Sequence, residues 1–214
     1  MIKLTQESGG EEKNQQLRFT GLIFADVPLE AKSSFMRKIV YYVATSIDGF
    51  IAGPNNSIEG FIHEGKGVEK YFDELKDFDT VIMGRNTYEF GYNFGLKPGQ
   101  PAYLGMKHYI FSDRLEFEEK HDSVEVVKRN VSFVQKLKQE KGGDIYLCGG
   151  GQFSGWMLEN ELIDIVKIKL NPLILNKGVP LFGDATKSYN LELLETNLYD
   201  KGLQIITYRI RYPK

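Results

Sequence analysis

Three short apolar segments of this chain each end in a small or polar residue and pass directly into a turn or a helix start. They lie at residues 80–84, 108–111 and 144–148. Short runs rich in β-branched and aromatic residues predict buried strands, because a side chain on either face of such a strand needs cover. Strands of this kind that alternate with helical segments indicate an α/β sheet in which most strands are parallel.

The rest of the chain continues this alternation and then changes to strands alone. Further strands are predicted at residues 36–46, 124–127 and 163–170. Apolar residues at helical spacing predict helices at 68–75, 131–139 and 152–159. The chain ends in a predicted hairpin, with strands at 191–199 and 203–212 around a turn at 200–202. We therefore expect a mostly parallel central sheet with an antiparallel C-terminal hairpin.

The first 35 residues differ from the remainder of the chain. They show little sustained periodicity, and their opening half is polar. We interpret residues 1–35 as an N-terminal extension and residues 36–214 as one domain. The alternative is that the first 35 residues form a folded arm or a partner-contacting segment, in which residues 22–24 add a short strand.

Charge and cysteine content exclude several classes of protein. Lys and Arg total 27 against 29 Asp and Glu, and the interspersed charges argue against a nucleic-acid partner. The single cysteine, Cys148, forms no internal disulfide and no Cys-rich zinc site, and the three histidines lack metal-ligand spacing, so we predict no metal. No apolar run has the length of a membrane span and no secretion signal is present, so we expect a cytoplasmic protein that does not contact membranes.

The three strand ends have the chemistry of anion sites. In open α/β sheets ligands bind outside the carboxyl ends of strands, where helix N-termini offer free amides. Residues 84–87 supply a glycine, an arginine and a hydroxyl, residues 112–114 a hydroxyl and a guanidinium, and residues 149–151 three glycines whose amides could close on a pyrophosphate. Each feature alone has a plainer interpretation, since triple glycine also forms tight turns and a Gly-Arg pair also forms a solvated cap. Ser154 breaks the G-x-G-x-x-G pattern.

Five motifs in order resemble a known family. They are VATSIDGFIA at 43–52, VIMGRNTY at 81–88, YIFSDR at 109–114, IYLCGGG at 145–151, and NPLIL at 171–175 followed by Gly178 and LFG at 181–183. Residues 36–214 resemble the dihydrofolate reductase-like superfamily, and more closely the branch related to the reductase domain of the bifunctional riboflavin-biosynthesis deaminase/reductase. The resemblance implies a three-layer α/β/α fold and an NADPH-dependent oxidoreductase.

The resemblance also assigns residues to the cofactor. It implies that Ala44 and Ile51 border the nicotinamide and that a loop from residue 48 to 54 closes over it. The residues implied to hold the phosphates and the adenosine end are Gly84, Arg85, Asn86, Thr87, Ser112, Arg114, Gly149, Gly150, Gly151, Gln152 and Phe153. Two arginines near one ribose would favour NADPH over NADH.

Reduction of a ring C=N bond also needs a proton donor. Asp48 is the candidate catalytic acid with the best positional match, and Glu64, Glu69 and Asp73 remain open alternatives. Asp48 could instead organise its loop by capping backbone amides.

The substrate predicted from the resemblance is a small pterin- or pyrimidine-like heterocycle. Phe50 and Cys148 stand where the riboflavin-pathway reductases commonly carry Lys and Glu, so two polar contacts of a phosphoribosyl pyrimidine are missing. The resemblance and the long strand at 163–170 also predict a homodimer. A non-catalytic nucleotide-binding or dimerising module of the same fold is the alternative function, because fold does not fix function.

Overall fold

A computed structural model of the chain describes residues 36–213. The predicted extension at residues 1–35, with its possible strand at 22–24, lies outside this part of the chain. The strands are, in chain order, β1 (Ile39–Thr45), β2 (Phe50–Ala52), β3 (Thr80–Gly84), β4 (Lys107–Phe111), β5 (Val124–Val127), β6 (Ile145–Gly149), β7 (Ile165–Leu170), β8 (Val179–Pro180), β9 (Asn190–Leu198) and β10 (Gln204–Arg211). The helices are α1 (Lys66–Leu75), α2 (Arg85–Phe90), α3 (Val131–Gln139) and α4 (Gly151–Glu159), with 3-10 turns at Pro54–Asn56, Gly91–Phe94 and Asp200–Gly202.

Eight strands form one sheet in the order β5-β4-β3-β6-β1-β7-β10-β9. The strands from β5 to β7 are parallel to their neighbours. β10 runs antiparallel to both β7 and β9. The predicted mostly parallel sheet and its antiparallel C-terminal hairpin are therefore confirmed.

Helices cover both faces of the sheet. On one face, α3 buries Val134 and Leu137 and α4 buries Phe153 and Met157 against inward side chains of β3 and β6. On the other face, α1 and α2 pack against a second cluster that includes Leu75. Each fully buried side chain of this size contributes roughly 1.5–3 kcal/mol, so both faces stabilise the fold. This arrangement confirms the three-layer α/β/α prediction. Between residues 36 and 213, none of the helices combines the length and apolar character that crossing a bilayer requires.

Helix starts follow local sequence signals. The Asn130 side chain accepts a hydrogen bond from the Phe133 amide at 3.0 Å, which caps α3. α4 begins instead at a glycine, and no side chain caps its first amides. The backbone amides in the first turn of α4 are therefore not capped by a side chain and can donate to another acceptor.

Two short strands are not predicted by the sequence pattern. β2 and β8 pair antiparallel as a separate two-stranded sheet. They have three and two residues, which is too short for a hydrophobic period to show. β7 also begins at Ile165 and not at Ile163. The first hydrogen bond that joins this segment to β1 runs from the Asp164 amide to the Ile39 carbonyl.

The strand order places a crevice above the centre of the sheet. From β3 the chain moves outward through β4 and β5, and then returns to insert β6 between β3 and β1. At such a reversal the connections leave in opposite directions, which opens a space at the carboxyl ends of the strands.

Candidate functional site

A cleft of about 580 Å³ lies at the carboxyl ends of β3, β4 and β6. It is lined by the beginnings of α2 and α4, by the loops after β4 and β5, and by residues of the β2 region. The structure thus brings all three predicted strand ends to one cleft. Of the residues predicted to bind the cofactor, those that line it are Ile51, Gly84, Arg85, Asn86, Thr87, Ser112, Arg114, Gly150, Gly151, Gln152 and Phe153. Ala44, which is half-buried, and Gly149, which is buried, lie in the strands beneath and are not part of the lining.

The glycines after β6 hold a backbone that other residues adopt only with strain. Gly149 has φ +119° and Gly150 has φ +58° with ψ 143°. A Cβ at Gly150 would lie 2.6 Å from Thr87 Oγ1, so the starts of α2 and α4 approach closely here. The first α4 amides, those of Gly151 and Gln152, find no acceptor within residues 36–213. The segment is thus both a tight turn and an open set of amide donors facing the cleft.

The cations of the cleft differ in their partners. Arg85 pairs with Glu89 one turn later in α2, at 2.9 Å. Arg114 is exposed and forms no ion pair with any of residues 36–213. The Ser112 hydroxyl accepts hydrogen bonds from the amides of Arg114 and Leu115, at 3.1 and 2.9 Å, and so fixes the turn that carries Arg114.

Sequence reasoning missed a third arginine. Arg129 follows β5 and lines the same cleft without an ion pair inside the described residues. The rule that selected the other strand ends would have found it, because β5 also ends in a polar segment of this edge. Asp113 is the only carboxylate that lines the cleft among residues 36–213.

Asp48 lies outside the cleft lining. Its carboxylate accepts hydrogen bonds from the Asn176 amide at 2.7 Å and the Leu175 amide at 3.2 Å. The Ser46 hydroxyl and these two amides hold the pKa of Asp48 below its usual range. A carboxylate kept ionised in this way organises two loops and is a poor proton donor, so the geometry favours the loop-organising alternative. The catalytic role of Asp48 stays a prediction.

The other candidate acids also lie away from the cleft lining. Glu64 pairs with Lys201 at 2.7 Å and Asp73 with Lys76 at 2.6 Å. Glu69 is exposed on α1. None of the four predicted carboxylates lines the cleft.

Uncharged polar groups surround Cys148, which lines the cleft. Cys148 lines the cleft and lies 3.3 Å from the Tyr103 hydroxyl. The Tyr71 and Tyr146 hydroxyls are 2.8 Å apart. Burial raises the pKa of the Cys148 thiol and of the three phenols, so these groups stay protonated and neutral near pH 7.

A scan against protein-family profiles finds the RibD C-terminal domain over residues 37–205. The chain belongs to the RibD C-terminal domain family. YwjB of Bacillus subtilis strain 168, an uncharacterized protein, is 33% identical over 170 residues, which are 79% of this chain and 96% of YwjB. The uncharacterized YyaP of the same strain is 27% identical over 180 residues, covering 80% of this chain and 94% of YyaP.

Solved structures place this RibD C-terminal domain in the dihydrofolate reductase-like fold. A riboflavin biosynthesis protein from Shewanella sp. PV-4 superimposes with a TM-score of 0.69 at 24% identity, over 83% of this chain and 100% of that one. The deaminase/5-amino-6-(5-phosphoribosylamino)uracil reductase of Thermotoga maritima gives 0.60 at 12% identity, over 82% and 57%. Dihydrofolate reductase from Enterococcus faecalis, complexed with NADP(H), gives 0.58 at 16% identity, over 83% and 99%. The fold expected from the resemblance is confirmed.

Proposed function

We propose that this RibD C-terminal domain protein is an NADPH-dependent reductase that transfers a hydride to a small pterin- or pyrimidine-like heterocycle. The observation that carries the proposal is the meeting of open α4 amides and three arginines in one cleft of about 580 Å³. Membership of the family and the fold shared with dihydrofolate reductase support it. Fold alone does not establish the reaction, so the support comes from the site.

The cleft residues fit a dinucleotide phosphate. A Cβ at Gly151 would lie 2.3 Å from the Pro180 carbonyl oxygen, so only glycine lets the backbone approach this closely. The Gly151 and Gln152 amides would hold the pyrophosphate. Arg114 and Arg129, which lack internal anions, would bind the 2′-phosphate together with Arg85. The bound cofactor supplies the hydride.

The chain's own residues would orient the substrate at the other end of the cleft. Ile51 lines the cleft there, and Ala44 lies in the strand beneath. The Cys148 thiol, which lines the cleft, supplies a neutral hydrogen-bonding group. Neutral donors suit the ring nitrogens and carbonyl oxygens of a heterocycle. Neutral donors are less suited to the phosphate of a phosphoribosyl group than charged side chains are.

One observation favours a second candidate function. A reductase needs a proton source at the substrate, and no carboxylate other than Asp113 lines the cleft within residues 36–213. A nucleotide-binding module without catalysis is consistent with that lining. A homodimer and a cytoplasmic location remain predictions from the sequence.

Loss of absorbance at 340 nm tests the proposal. Full-length protein is mixed with NADPH and, in turn, dihydrofolate, a dihydropterin and a 5-aminouracil derivative. We expect oxidation of NADPH with at least one heterocycle and none without it. Quenching of Trp156 and tyrosine fluorescence by NADPH, with no oxidation for any substrate, would support the binding module; absence of NADPH binding would contradict both functions.

A further inference from the structure

Two lysines of β7 occupy matching positions with different partners. Lys167 and Lys169 are two residues apart, so their side chains leave the same face of the sheet. Lys167 Nζ lies 5.1 Å from the centre of the Tyr42 ring and 2.8 Å from a Glu74 carboxylate oxygen. Lys169 Nζ lies 5.2 Å from the centre of the Tyr71 ring. No carboxylate among residues 36–213 lies within ion-pair distance of Lys169.

The missing anion matters because Lys169 is buried. Its residue is 9% exposed, and this desolvation lowers the pKa of its ammonium group. A buried ammonium without a counter-charge is unfavourable, and a tyrosine ring offsets only part of that penalty. Among residues 36–213 the ammonium has neither an ion-pair partner nor a hydrogen-bond acceptor, so it is the group with which a ligand anion would pair.

Lys169 lies two strands away from Cys148, which lines the cleft. β6, β1 and β7 are neighbours in the sheet. Cys148 of β6 lines the cleft, and Ala44 of β1 is in register with Lys169 of β7 on the same face. The short Ala44 side chain fills little of the space above the sheet between Cys148 and Lys169. A flat ring over Ala44 would have its edge directed to Lys169.

The remaining walls near Lys169 supply no charge. Tyr71 of α1 covers the position from above, and its hydroxyl is engaged with that of Tyr146. Both phenols stay protonated because burial raises the pKa of each. Within residues 36–213, then, no group supplies the negative charge that Lys169 lacks, and a ligand is the source to test.

We infer that Lys169 anchors the substrate of this site, and that the substrate is a small planar heterocycle carrying a carboxylate or another anionic oxygen. The ring lies over Ala44, and its anionic group pairs with the Lys169 ammonium. This assignment of a substrate class rests on the proposed reductase function for the identity of the cleft.

Two pterins that differ in one charge test the inference. Pterin-6-carboxylate is anionic at pH 7, and 6-hydroxymethylpterin is neutral. Both are fluorescent, so each is titrated with the full-length protein and the two dissociation constants are compared. We expect the wild type to bind the carboxylate at least about tenfold more tightly, the range of a hydrogen bond to a charged group. Lys169→Met should abolish that preference, and Lys169→Arg should retain part of it.

Lys167→Met is the matched control. It removes an ammonium from the same strand, face and kind of ring contact, but one that already pairs with Glu74. It should leave the preference for the carboxylate unchanged. An undiminished preference in Lys169→Met, equal loss in Lys167→Met, equal binding of the two pterins by the wild type, or no binding of either would overturn the inference.

An NADPH titration of the same proteins separates this inference from the proposed function. Lys169→Met should bind NADPH as the wild type does, because the residues proposed to hold the cofactor phosphates follow β3, β4, β5 and β6 and not β7. Failure of the wild type to bind NADPH, with a Lys169-dependent preference for the carboxylate, would remove the reductase and leave the anion subsite standing. Normal NADPH binding without a preference for the carboxylate would overturn the anion subsite and leave the proposed reductase standing.

Discussion

The two ends of the parallel strands differ in how their charged groups are paired. At the amino ends, Asp79, Asp144 and Asp164 directly precede β3, β6 and β7. Each accepts a hydrogen bond from a backbone amide of a neighbouring segment, at 2.7, 2.9 and 2.8 Å. Asp79 also pairs with the buried Arg37. Each of these carboxylates accepts a hydrogen bond from the chain itself, so we interpret this edge as one that stabilises the fold.

At the carboxyl ends the charges are arginines, and they are left open. Arg85, Arg114 and Arg129 follow β3, β4 and β5. Of the three, only Arg85 has an ion pair within residues 36–213. The α4 amides beside them are equally without acceptors in that part of the chain. Because these donors are unmatched within residues 36–213, we propose that a ligand pairs with them.

The comparison explains why whole-chain charge is a poor guide for this protein. A net charge of -2 does not show that Asp79 and Asp164 are paired with Arg37 and Lys138 at one edge, whereas Arg114 and Arg129 at the other form no ion pair within residues 36–213. The amino edge should therefore respond to substitution through stability, and the carboxyl edge through binding.

Arg37→Met should have the largest effect on stability. The Arg37 side chain is 4% exposed, and its guanidinium donates to Asp79, to Thr80 Oγ1 at 2.7 Å and to the Gly143 carbonyl. The Asp79 side chain is 47% exposed, but loss of the guanidinium also leaves Thr80 Oγ1 and the Gly143 carbonyl without their donor, and we expect a cost of about 3 kcal/mol. Urea unfolding should show that loss of stability. Under conditions in which the variant is folded, its dissociation constant for NADPH should equal that of the wild type.

The exposed pair Lys76–Asp73 is the control for Arg37. Its side chains are 75% and 67% exposed, so Lys76→Met should cost less than about 1 kcal/mol. Similar losses for Arg37→Met and Lys76→Met would show that the amino edge is not held by its buried charge.

Gly150→Ala should damage the carboxyl edge in a different way. A Cβ would meet Thr87 Oγ1 at 2.6 Å, and the backbone at φ +58° and ψ 143° is strained for alanine. The strain costs about 1–3 kcal/mol, and displacement of the α4 start should weaken NADPH binding at least about tenfold. Fluorescence titration and urea unfolding measure the two effects.

Gly95→Ala separates strain from the site. Gly95 also has positive φ, at +86°, but a Cβ there meets nothing within 4 Å. It should lose about 1 kcal/mol of stability and bind NADPH normally. Normal binding by Gly150→Ala as well would exclude the α4 start from the phosphate site.

The arginines should discriminate between cofactors. Alanine at Arg85, Arg114 or Arg129 should each weaken NADPH binding by roughly tenfold, the effect of losing a charged hydrogen bond of about 1.5 kcal/mol. NADH lacks the 2′-phosphate and should lose little. The dissociation constants for both cofactors are compared, with Arg211→Ala on β10 as the control because Arg211 pairs with Glu192 far from these strand ends. Equal losses for NADPH and NADH would remove that arginine from the 2′-phosphate role.

Sequence reasoning reached the fold and the strand ends because parallel strands bring their carboxyl ends to one edge. Arg85 and Arg114 could be placed in the cleft on that ground alone. The pairing of Asp48 with amides at 175 and 176 joins loops 127 and 128 residues apart, which no local pattern encodes. Lys169 likewise gives no sequence signal, since Lys167 has the same spacing and differs only in having Glu74 opposite it.

The smallest expected effect returns to the amino edge, at the start of β4. His108 is fully buried, its Nε2 accepts a hydrogen bond from the Tyr103 amide at 3.1 Å, and its Nδ1 lies 3.0 Å from the Met106 carbonyl. Burial lowers the pKa of His108 from 6.5 to about 4. The unfolded chain binds a proton below pH 6.5 that the folded chain refuses until about pH 4, so stability is full above pH 6.5 and falls as the pH decreases through this window.

Between pH 7 and pH 6 this linkage should cost less than about 1 kcal/mol, a change that urea midpoints resolve. His108→Gln retains a side-chain acceptor for the Tyr103 amide and cannot titrate, so its stability should be flatter over the same interval. His121, which is exposed, is the control, and His121→Gln should keep the wild-type slope. If the unfolding free energy of His108→Gln changed with pH as steeply as that of the wild type, the proton would be taken up at another group and not at His108.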